Sequence, residues 1–311
     1  MPHSNNLELT TRSPSIKLKT LRAFNLLSIL LASFLNTYFI VFSHSSKEIY
    51  DDYPTFFTPS ATFVGIFWIT LQILQIVFAV FAQLSNIQFV QEIVENAVSW
   101  WFTFSNLFLC GQLYFLIRKF FILAELFVLL TLISTSIVHH RLTFNYPPNH
   151  LPESVASKII SFIHTPFAML SAFSLLNLFH IGFIAFAQGY EKKYVIIAIL
   201  LACIMAIIGV AWSVTGAFGR GKRDGVFNAT IAWALLGIAV HQRETKYLSI
   251  TCLILAIIQL LVIFIVWYRY GGSFTALIGS SPTRRRVSYS QNDLREPLLS
   301  PQRDSSLGEE A

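Results

Sequence analysis

Long apolar blocks alternate with short polar segments along the chain, and each block is close to the length of a membrane-crossing helix. A hydrocarbon core about 30 Å thick requires about 20 apolar residues at helical rise, and only helices or closed barrels satisfy their own backbone groups there. The pattern therefore predicts an all-α protein, a polytopic membrane bundle of about eight helices. The predicted spans are residues 21–42, 63–84, 101–117, 120–138, 162–187, 194–212, 225–240 and 248–267.

Two places in this pattern leave the number of crossings open. Only Arg118 and Lys119 separate the third span from the fourth, and the seventh span is short. A re-entrant or tilted segment at either place would change the topology. With eight crossings both termini lie on one side, and basic residues cluster before the first span, before the seventh and after the eighth. The positive-inside rule then predicts cytosolic termini. The organelle stays open, with an endomembrane or plasma membrane location preferred over secretion.

The segments outside the spans include a tail at each end. Residues 1–20 form a polar amino-terminal tail. From residue 271 the composition shifts to Ser, Arg, Pro and acidic residues without apolar periodicity, which predicts a disordered cytosolic tail over residues 271–311. Within it, Ser288 follows a cluster of arginines, the arrangement that a basophilic kinase recognises, so Ser288 is a candidate phosphorylation site.

Composition narrows the classes of function. Hydrophobic residues make up 54% of the 311 residues and charged residues 12%, which is too little charge to solvate an ordinary soluble domain. The net charge is +6, but the basic residues flank the apolar blocks, so we expect membrane lipids and not nucleic acid as partners. All three cysteines lie inside apolar blocks, and the sequence shows no nucleophile with an adjacent base and no paired carboxylates. The sequence therefore predicts a protein that is not an enzyme and holds no metal or cofactor.

Polar side chains lie inside five of the predicted spans, and in the second and fifth they recur at helical spacing. A buried amide carries a desolvation cost, so each needs a hydrogen-bond partner or a cavity. Two interpretations stay open: the amides form hydrogen bonds between helices, or they line a binding cavity. They are Gln72 and Gln75 with Trp68 on the same face of the second span, Asn177 and His180 with Phe173 on the same face of the fifth, Asn36 in the first span, Asn106 and Gln112 in the third, and Gln259 in the eighth.

An acidic residue and three histidines lie in or near the predicted spans. Glu125 is the one acidic residue deep in a predicted span, and an intramembrane carboxylate is a candidate proton, ion or ligand partner. It also lies about 9 Å by helical rise from the Arg118–Lys119 end, which is close enough for pairing with an interfacial base. His139, His140 and His150 follow the fourth span and are predicted to be solvated loop histidines.

A motif around the start of the second span carries a family resemblance. Pro59, Trp68 and Leu71 stand at the spacing of the pattern Trp-x-Pro-Pro, Phe, Val-Trp-x-x-Leu-Tyr. The chain is similar here to the translocator protein family, also called tryptophan-rich sensory proteins. Phe57, Ser60, Val64, Phe67 and Gln72 stand where the family has Trp, Pro, Phe, Val and Tyr. Further positions that resemble the family are Asn106 in the third span and the pairs Pro166–Phe167 and Leu176–Asn177 in the fifth.

The resemblance implies a five-helix bundle over residues 21–187, followed by a three-helix extension over residues 188–270. It implies a bundle interior that binds flat apolar ligands such as porphyrins or sterols. We therefore predict a protein that binds a sterol, tetrapyrrole or lipid as a sensor, carrier or scaffold. The predicted ligand-binding residues are Trp68, Gln72, Gln75, Asn106, Phe167, Asn177 and His180.

Two alternatives from other classes stay open. One is a secondary transporter coupled to protons or ions, which would use Glu125, His180 and the buried amides. The other is a structural or assembly subunit of a membrane complex, with a homo-oligomer as one form. Its contact face would be the small-residue stripe Ala198, Ala202 and Ala206, which lets helices approach closely.

Overall fold

Helices form the fold, and their order follows the predicted spans. The structure is a computed structural model that describes residues 13–42, 46–146, 153–187, 192–215, 222–269 and 278–280. In chain order the helices are α1 (Ile16–Phe42), α2 (Ser46–Asp52), α3 (Ala61–Leu84), α4 (Gln88–Glu92), α5 (Trp101–Ile117), α6 (Phe121–Asn145), α7 (Glu153–Ile159), α8 (Thr165–Phe186), α9 (Lys192–Val210), α10 (Gly225–His241) and α11 (Lys246–Arg269). Turns of π-helix follow α4 (Ile93–Val98), α7 (Ile160–His164) and α9 (Ala211–Thr215).

Eight of the described helices have the apolar composition of membrane spans. Six helical segments are long and apolar enough to cross a bilayer, and they contain α1, α3, α6, α8, α9 and α11. The remaining two predicted spans are the shorter apolar helices α5 and α10, each of 17 residues. Large side chains such as Leu27, Ile207 and Phe264 are exposed on the outside of the bundle, as a hydrocarbon solvent allows. The prediction of an all-α membrane bundle is confirmed.

Helix α8 is the centre of the bundle. Within an apolar stretch of 18 residues in the α8 segment 72% of the residues are buried, against 22% to 33% for the corresponding stretches of the other five long segments. One hydrophobic cluster joins α8 to α3, α9, α10 and α11, with Leu71, Leu176 and Leu235 among its members. A second cluster joins it to α1, α5 and α6 around Phe78 and Phe102. Because α8 belongs to both clusters, other helices pack against it on two sides and hold its side chains in place.

The gap between the second and third predicted spans folds into a buried segment. Helix α4 and its π-helical turn place Val90, Ile93 and Val94 in the second cluster with no exposed surface. The turn ends at Ser99, whose positive φ of 46° starts the chain towards α5. This segment is too short to span a bilayer, so hydropathy over a long window does not reveal it.

Helix α6 corrects the end of the fourth predicted span. The span was predicted to stop at residue 138, but α6 continues to Asn145 and contains His139 and His140. His139 is fully buried, so the prediction of a solvated loop histidine is wrong for this residue. Its partner is Asp224, 85 residues further along the chain, which is why local sequence did not reveal the burial. His150 lies outside the described residues.

The small-residue stripe of α9 is buried within the chain. Ala198, Ala202 and Ala206 pack in the first cluster with Cys252 and Ala256 of α11. Close helix approach is thus present, as expected from the small side chains. The face is covered by the chain's own helices, so it does not offer the contact surface that the assembly hypothesis assigned to it.

A pair of short strands lies at the start of α10. Strand β1 (Lys222–Asp224) pairs antiparallel with β2 (Ile278–Ser280), with Asp224 opposite Ile278. The chain after α11 thus returns to the beginning of α10. Strand β2 lies within the segment predicted to be a disordered tail, and for these three residues the prediction is wrong, because their backbone has β1 as a hydrogen-bonding partner. Ser288 lies outside the described residues.

Candidate functional site

A cavity of about 470 Å³ lies between α1, α3, α5 and α8. Tyr50 of α2 and Pro59 of the α2–α3 connection lie at its wall. Its volume falls in the range of about 300–1,000 Å³ that is usual for small-molecule sites. Most of the residues predicted to bind ligand line this one cavity. They are Trp68, Gln72, Gln75, Asn106, Asn177 and His180.

Helical periodicity brings the α3 residues together. Trp68, Gln72 and Gln75 are separated by one and two turns, so one face of α3 directs all three at the cavity. Ile69 and Ile73 also line it, yet their side chains are 65% and 56% exposed. The cavity therefore reaches the outer, apolar surface of the bundle along α3.

An aromatic wall closes one side of the cavity. The ring of Trp68 meets Phe173 of α8 edge-on, with centroids 5.3 Å apart. Phe173 in turn stacks on Phe67, with centroids 4.1 Å apart and planes within 14°. Such contacts hold each ring in one orientation, so the wall is largely preformed.

The amides of the cavity differ in how their hydrogen-bonding groups are used. Gln72 of α3 donates to Ser33 of α1. Asn106 is fully buried and donates from Nδ2 to the carbonyl of Phe102, 2.9 Å away. The oxygens Asn106 Oδ1 and Gln112 Oε1 have no hydrogen-bond partner among the described residues. An unmade hydrogen bond to a buried acceptor costs about 1–3 kcal/mol, so these atoms favour a donor supplied from the cavity.

His180 and Tyr50 close the end of the cavity near α2. Their ring centroids lie 4.5 Å apart, and His180 Nε2 has no hydrogen-bond partner among the described residues. Burial raises the pKa of the Tyr50 phenol to about 12, so the phenol is uncharged at neutral pH. The described residues that line the cavity include no Lys, Arg, Asp or Glu. The site therefore offers hydrogen bonds and aromatic surface but no formal charge.

Phe167 is the predicted ligand-binding residue that the structure places elsewhere. It is buried between Phe78 and Phe102, with ring centroids 5.3 and 5.6 Å away, both edge-on. Phe167 precedes Phe173 by six residues on α8, which is about 240° around a helix. It therefore faces the second hydrophobic cluster and not the cavity.

Glu125 also lies outside the cavity. Its Oε1 faces Gly182 of α8, where an added Cβ would be 3.2 Å away, and its Oε2 has no hydrogen-bond partner among the described residues. The interfacial base considered for it is used elsewhere: Lys119 bonds Asp52 at 3.2 Å, and this contact raises the pKa of Lys119. The transport hypothesis thus loses the link between Glu125 and the cavity amides.

Some cavity residues were outside the predicted set. Asn36 and Gln112 line the wall; both were noted as polar residues within predicted spans but were not among the predicted ligand-binding residues. Tyr50 lies between spans, where periodicity gives no signal. In the part of the chain that the structure describes, no group of three His, Cys, Asp or Glu could hold a metal ion.

Comparison with known proteins assigns the chain to a family. A search of curated proteins and a search of solved structures gave no significant match. A family model described as TSPO-like protein matches residues 21–265. The match runs from α1 into α11, so it continues beyond the five helices that carried the resemblance in the sequence. The chain therefore belongs to the TSPO-like protein family.

Proposed function

We propose that this membrane protein binds an uncharged hydrophobic small molecule in the cavity between α1, α3, α5 and α8. One observation carries the proposal: side chains from four helices and from α2 converge on a single cavity whose described lining is aromatic, aliphatic and amide, without a charged group. A small number of placed polar groups in an apolar cleft is typical of small-molecule sites. Through this binding the protein acts as a sensor of the small molecule, as its carrier or as a scaffold.

The lack of charge in the lining favours some ligand classes over others. A tetrapyrrole with free carboxylates would have to leave those groups unpaired or in water, because a buried carboxylate without a partner costs several kcal/mol. A sterol, or a neutral lipid with a free hydroxyl, carries a group that can donate to Asn106 Oδ1 and Gln112 Oε1, which have no partner among the described residues. We therefore propose a sterol or neutral lipid ahead of a tetrapyrrole acid.

The position of the cavity supports a ligand that arrives from the bilayer. Ile69 and Ile73 line the cavity and are also exposed on the apolar outside of the bundle. A hydrophobic molecule dissolved in the membrane would reach the site there without passing through water. The amide of Gln72 donates to the hydroxyl of Ser33, and this hydrogen bond holds α1 and α3 together at the cavity.

Fluorescence quenching with matched ligands tests this function. Protoporphyrin IX dimethyl ester is uncharged, whereas free protoporphyrin IX has the same ring with two carboxylates. We expect saturable quenching of Trp68 fluorescence in detergent-purified protein with the ester, and at least about tenfold weaker binding of the acid, equivalent to about 1.4 kcal/mol. The same preference should hold for cholesterol over cholesterol sulfate in a competition assay.

Two tryptophan variants serve as probe and control. Trp68→Phe should abolish the quenched component. Trp267→Phe in α11 should leave it intact, because the Trp267 ring lies beside Phe264, with centroids 6.0 Å apart, and does not line the cavity. If no uncharged sterol, lipid or ester gives saturable quenching in folded protein, the binding proposal is wrong. Equal affinity for ester and acid would leave binding standing but refute the preference for uncharged ligands.

A further inference from the structure

Helix α10 contacts the segment before α3, which contributes Pro59 to the cavity wall. We call residues 55–60, between α2 and α3, the cavity lip, because its Pro59 lines the cavity wall. Gln242, directly after α10, donates from Nε2 to the carbonyl of Thr55 at 2.9 Å and approaches the carbonyl of Thr58 at 3.5 Å. The backbone amide of Ser60 donates to the carbonyl of Gly237 at 2.9 Å. Gln242 and Gly237, at the end of α10, therefore bond to the start and the end of the lip.

Side-chain packing strengthens this contact. Trp233 of α10 donates from Nε1 to the carbonyl of Phe63 at 3.0 Å, and the two rings lie 4.7 Å apart. An added Cβ on Gly237 would lie 3.4 Å from Cβ of Pro59 and 3.2 Å from that of Phe63, so glycine allows α10 to lie directly against the lip. Pro59 is then the layer between α10 and the cavity.

The lip is ordered by its own residues as well. The hydroxyls of Thr55 and Thr58 lie 3.0 Å apart, and the amide of Thr58 donates to the carbonyl of Thr55. Phe57 is fully buried and stacks on Phe183 of α8, with centroids 5.8 Å apart. Gln242 therefore contacts a compact turn, and movement of that turn as a unit would move Pro59 at the cavity wall.

We propose that α10 and Gln242 clamp the cavity lip and thereby set the rate at which ligand enters and leaves. The inference rests on the proposed binding function and adds a role for the last three helices in its regulation. Gln242 is a positioning residue: it does not line the cavity but holds the segment that does. Its buried amide satisfies lip carbonyls, so removing the donor weakens the closed position of the lip.

The expected kinetic effect follows from that role. The lip leads directly into α3, the helix along which the cavity reaches the outside of the bundle, so movement of the lip can limit both association and dissociation. Loss of one hydrogen bond of about 1 kcal/mol should raise the opening frequency about fivefold. The rate constants of association and dissociation should both rise by about that factor. The dissociation constant should change by less than about twofold, because the contacts between cavity and ligand are unchanged.

A matched pair of glutamine variants tests the clamp. Gln242→Met keeps the length of the side chain and removes the donor. Gln259→Met is the control, since Gln259 is also buried and donates to a backbone carbonyl, that of Ala206 at 2.7 Å, but does so away from the lip. Stopped-flow dissociation of protoporphyrin IX dimethyl ester should be about fivefold faster in Gln242→Met and unchanged in Gln259→Met. Trp233→Phe, which keeps an aromatic ring but loses the Nε1 donor, should act in the same direction as Gln242→Met.

Hydrogen exchange separates failure of the clamp from failure of the binding function. In ligand-free protein, Gln242→Met should speed exchange at the amides of Phe57, Thr58 and Ser60, and Gln259→Met should not. If both methionine variants change exchange and dissociation equally, the clamp is refuted, because the effect is then general loss of stability. If wild-type protein binds no ligand, the binding proposal fails, and the exchange result alone decides whether α10 holds the lip.

Discussion

The imidazole of His139 and the carboxylate of Asp224 form a buried pair that joins α6 to α10. His139 Nε2 lies 2.5 Å from Asp224 Oδ2, and both side chains are almost fully buried. The His139 ring lies parallel to Phe227, with centroids 5.8 Å apart, and stacks on Trp212 at 5.2 Å. The other carboxylate oxygen, Asp224 Oδ1, accepts hydrogen bonds from the amides of Val226 and Phe227 and so caps the start of α10. The pair therefore fixes the origin of the helix that holds the cavity lip.

Removing His139 should destabilise the protein strongly. His139→Leu leaves the Asp224 carboxylate buried without its imidazole partner, and breaking a buried pair in this way costs about 3–5 kcal/mol. We expect a corresponding loss of the free energy of unfolding, measured by denaturant titration of the purified protein in detergent. The neighbouring His140 is exposed on α6, so His140→Leu should change stability by less than about 1 kcal/mol. Similar losses in the two variants would show that the pair contributes little.

Close packing of α5 on α6 depends on a glycine. An added Cβ on Gly111 would lie 2.4 Å from Cδ1 and Cε1 of Phe127, well inside van der Waals contact. Gly111→Ala should therefore lower the free energy of unfolding by about 1–3 kcal/mol through overpacking. Phe127→Leu should remove the clash, so that the double variant is more stable than the sum of the single effects. Thermal unfolding of all four proteins gives this double-mutant cycle, and purely additive losses would refute the close contact.

Phe167 should matter for stability and not for ligand. Its ring is buried edge-on against Phe78 and Phe102, so Phe167→Ala should cost about 3–5 kcal/mol of unfolding free energy. The folded fraction should keep the wild-type affinity for an uncharged ligand, because the ring does not line the cavity. Binding measured at a temperature where the variant is folded tests this separation. A loss of affinity larger than about threefold there, about 0.65 kcal/mol, would place Phe167 in the site.

The cavity lining was predictable from sequence where one helix face supplies it. Trp68, Gln72 and Gln75 share a face of α3 because of helical geometry alone, and polar groups inside an apolar span need a cavity or a partner. Asn177 and His180 follow the same rule on α8. Phe167 was selected from the family resemblance and not from its helix face, and it is the one that packs elsewhere.

The remaining features depend on contacts between distant parts of the chain. His139 is separated from Asp224 by 85 residues and Gln242 from Thr55 by 187, so no local pattern indicates either contact. The end of α6 was placed too early because a histidine pair usually marks a polar boundary, whereas here one imidazole has a buried carboxylate as partner. Hydropathy scales measure the free energy of moving a side chain from water into lipid. His139, Asp224 and Gln242 are instead buried against other parts of the protein, where they have hydrogen-bond partners.

Tyr50 should make the stability of the protein fall at alkaline pH. Burial raises the pKa of its phenol to about 12, above the value of about 10 for an unfolded tyrosine. Between these two values the unfolded chain releases the proton and the folded chain retains it, so unfolding becomes more favourable as the pH rises. The contribution of Tyr50 is complete below pH 10 and is lost as the pH approaches 12.

Tyr50→Phe removes this titration while keeping the ring against His180. Melting temperatures measured from pH 8 to pH 11.5 should therefore fall less steeply in the variant than in the wild type, and the two curves should separate only above about pH 10. Below that pH the phenol remains a neutral hydrogen-bond donor at the cavity wall, so ligand affinity of the wild type should be constant from pH 7 to 9. Parallel melting curves over the whole range would show that Tyr50 is accessible to water, and the end of the cavity would then be open at α2.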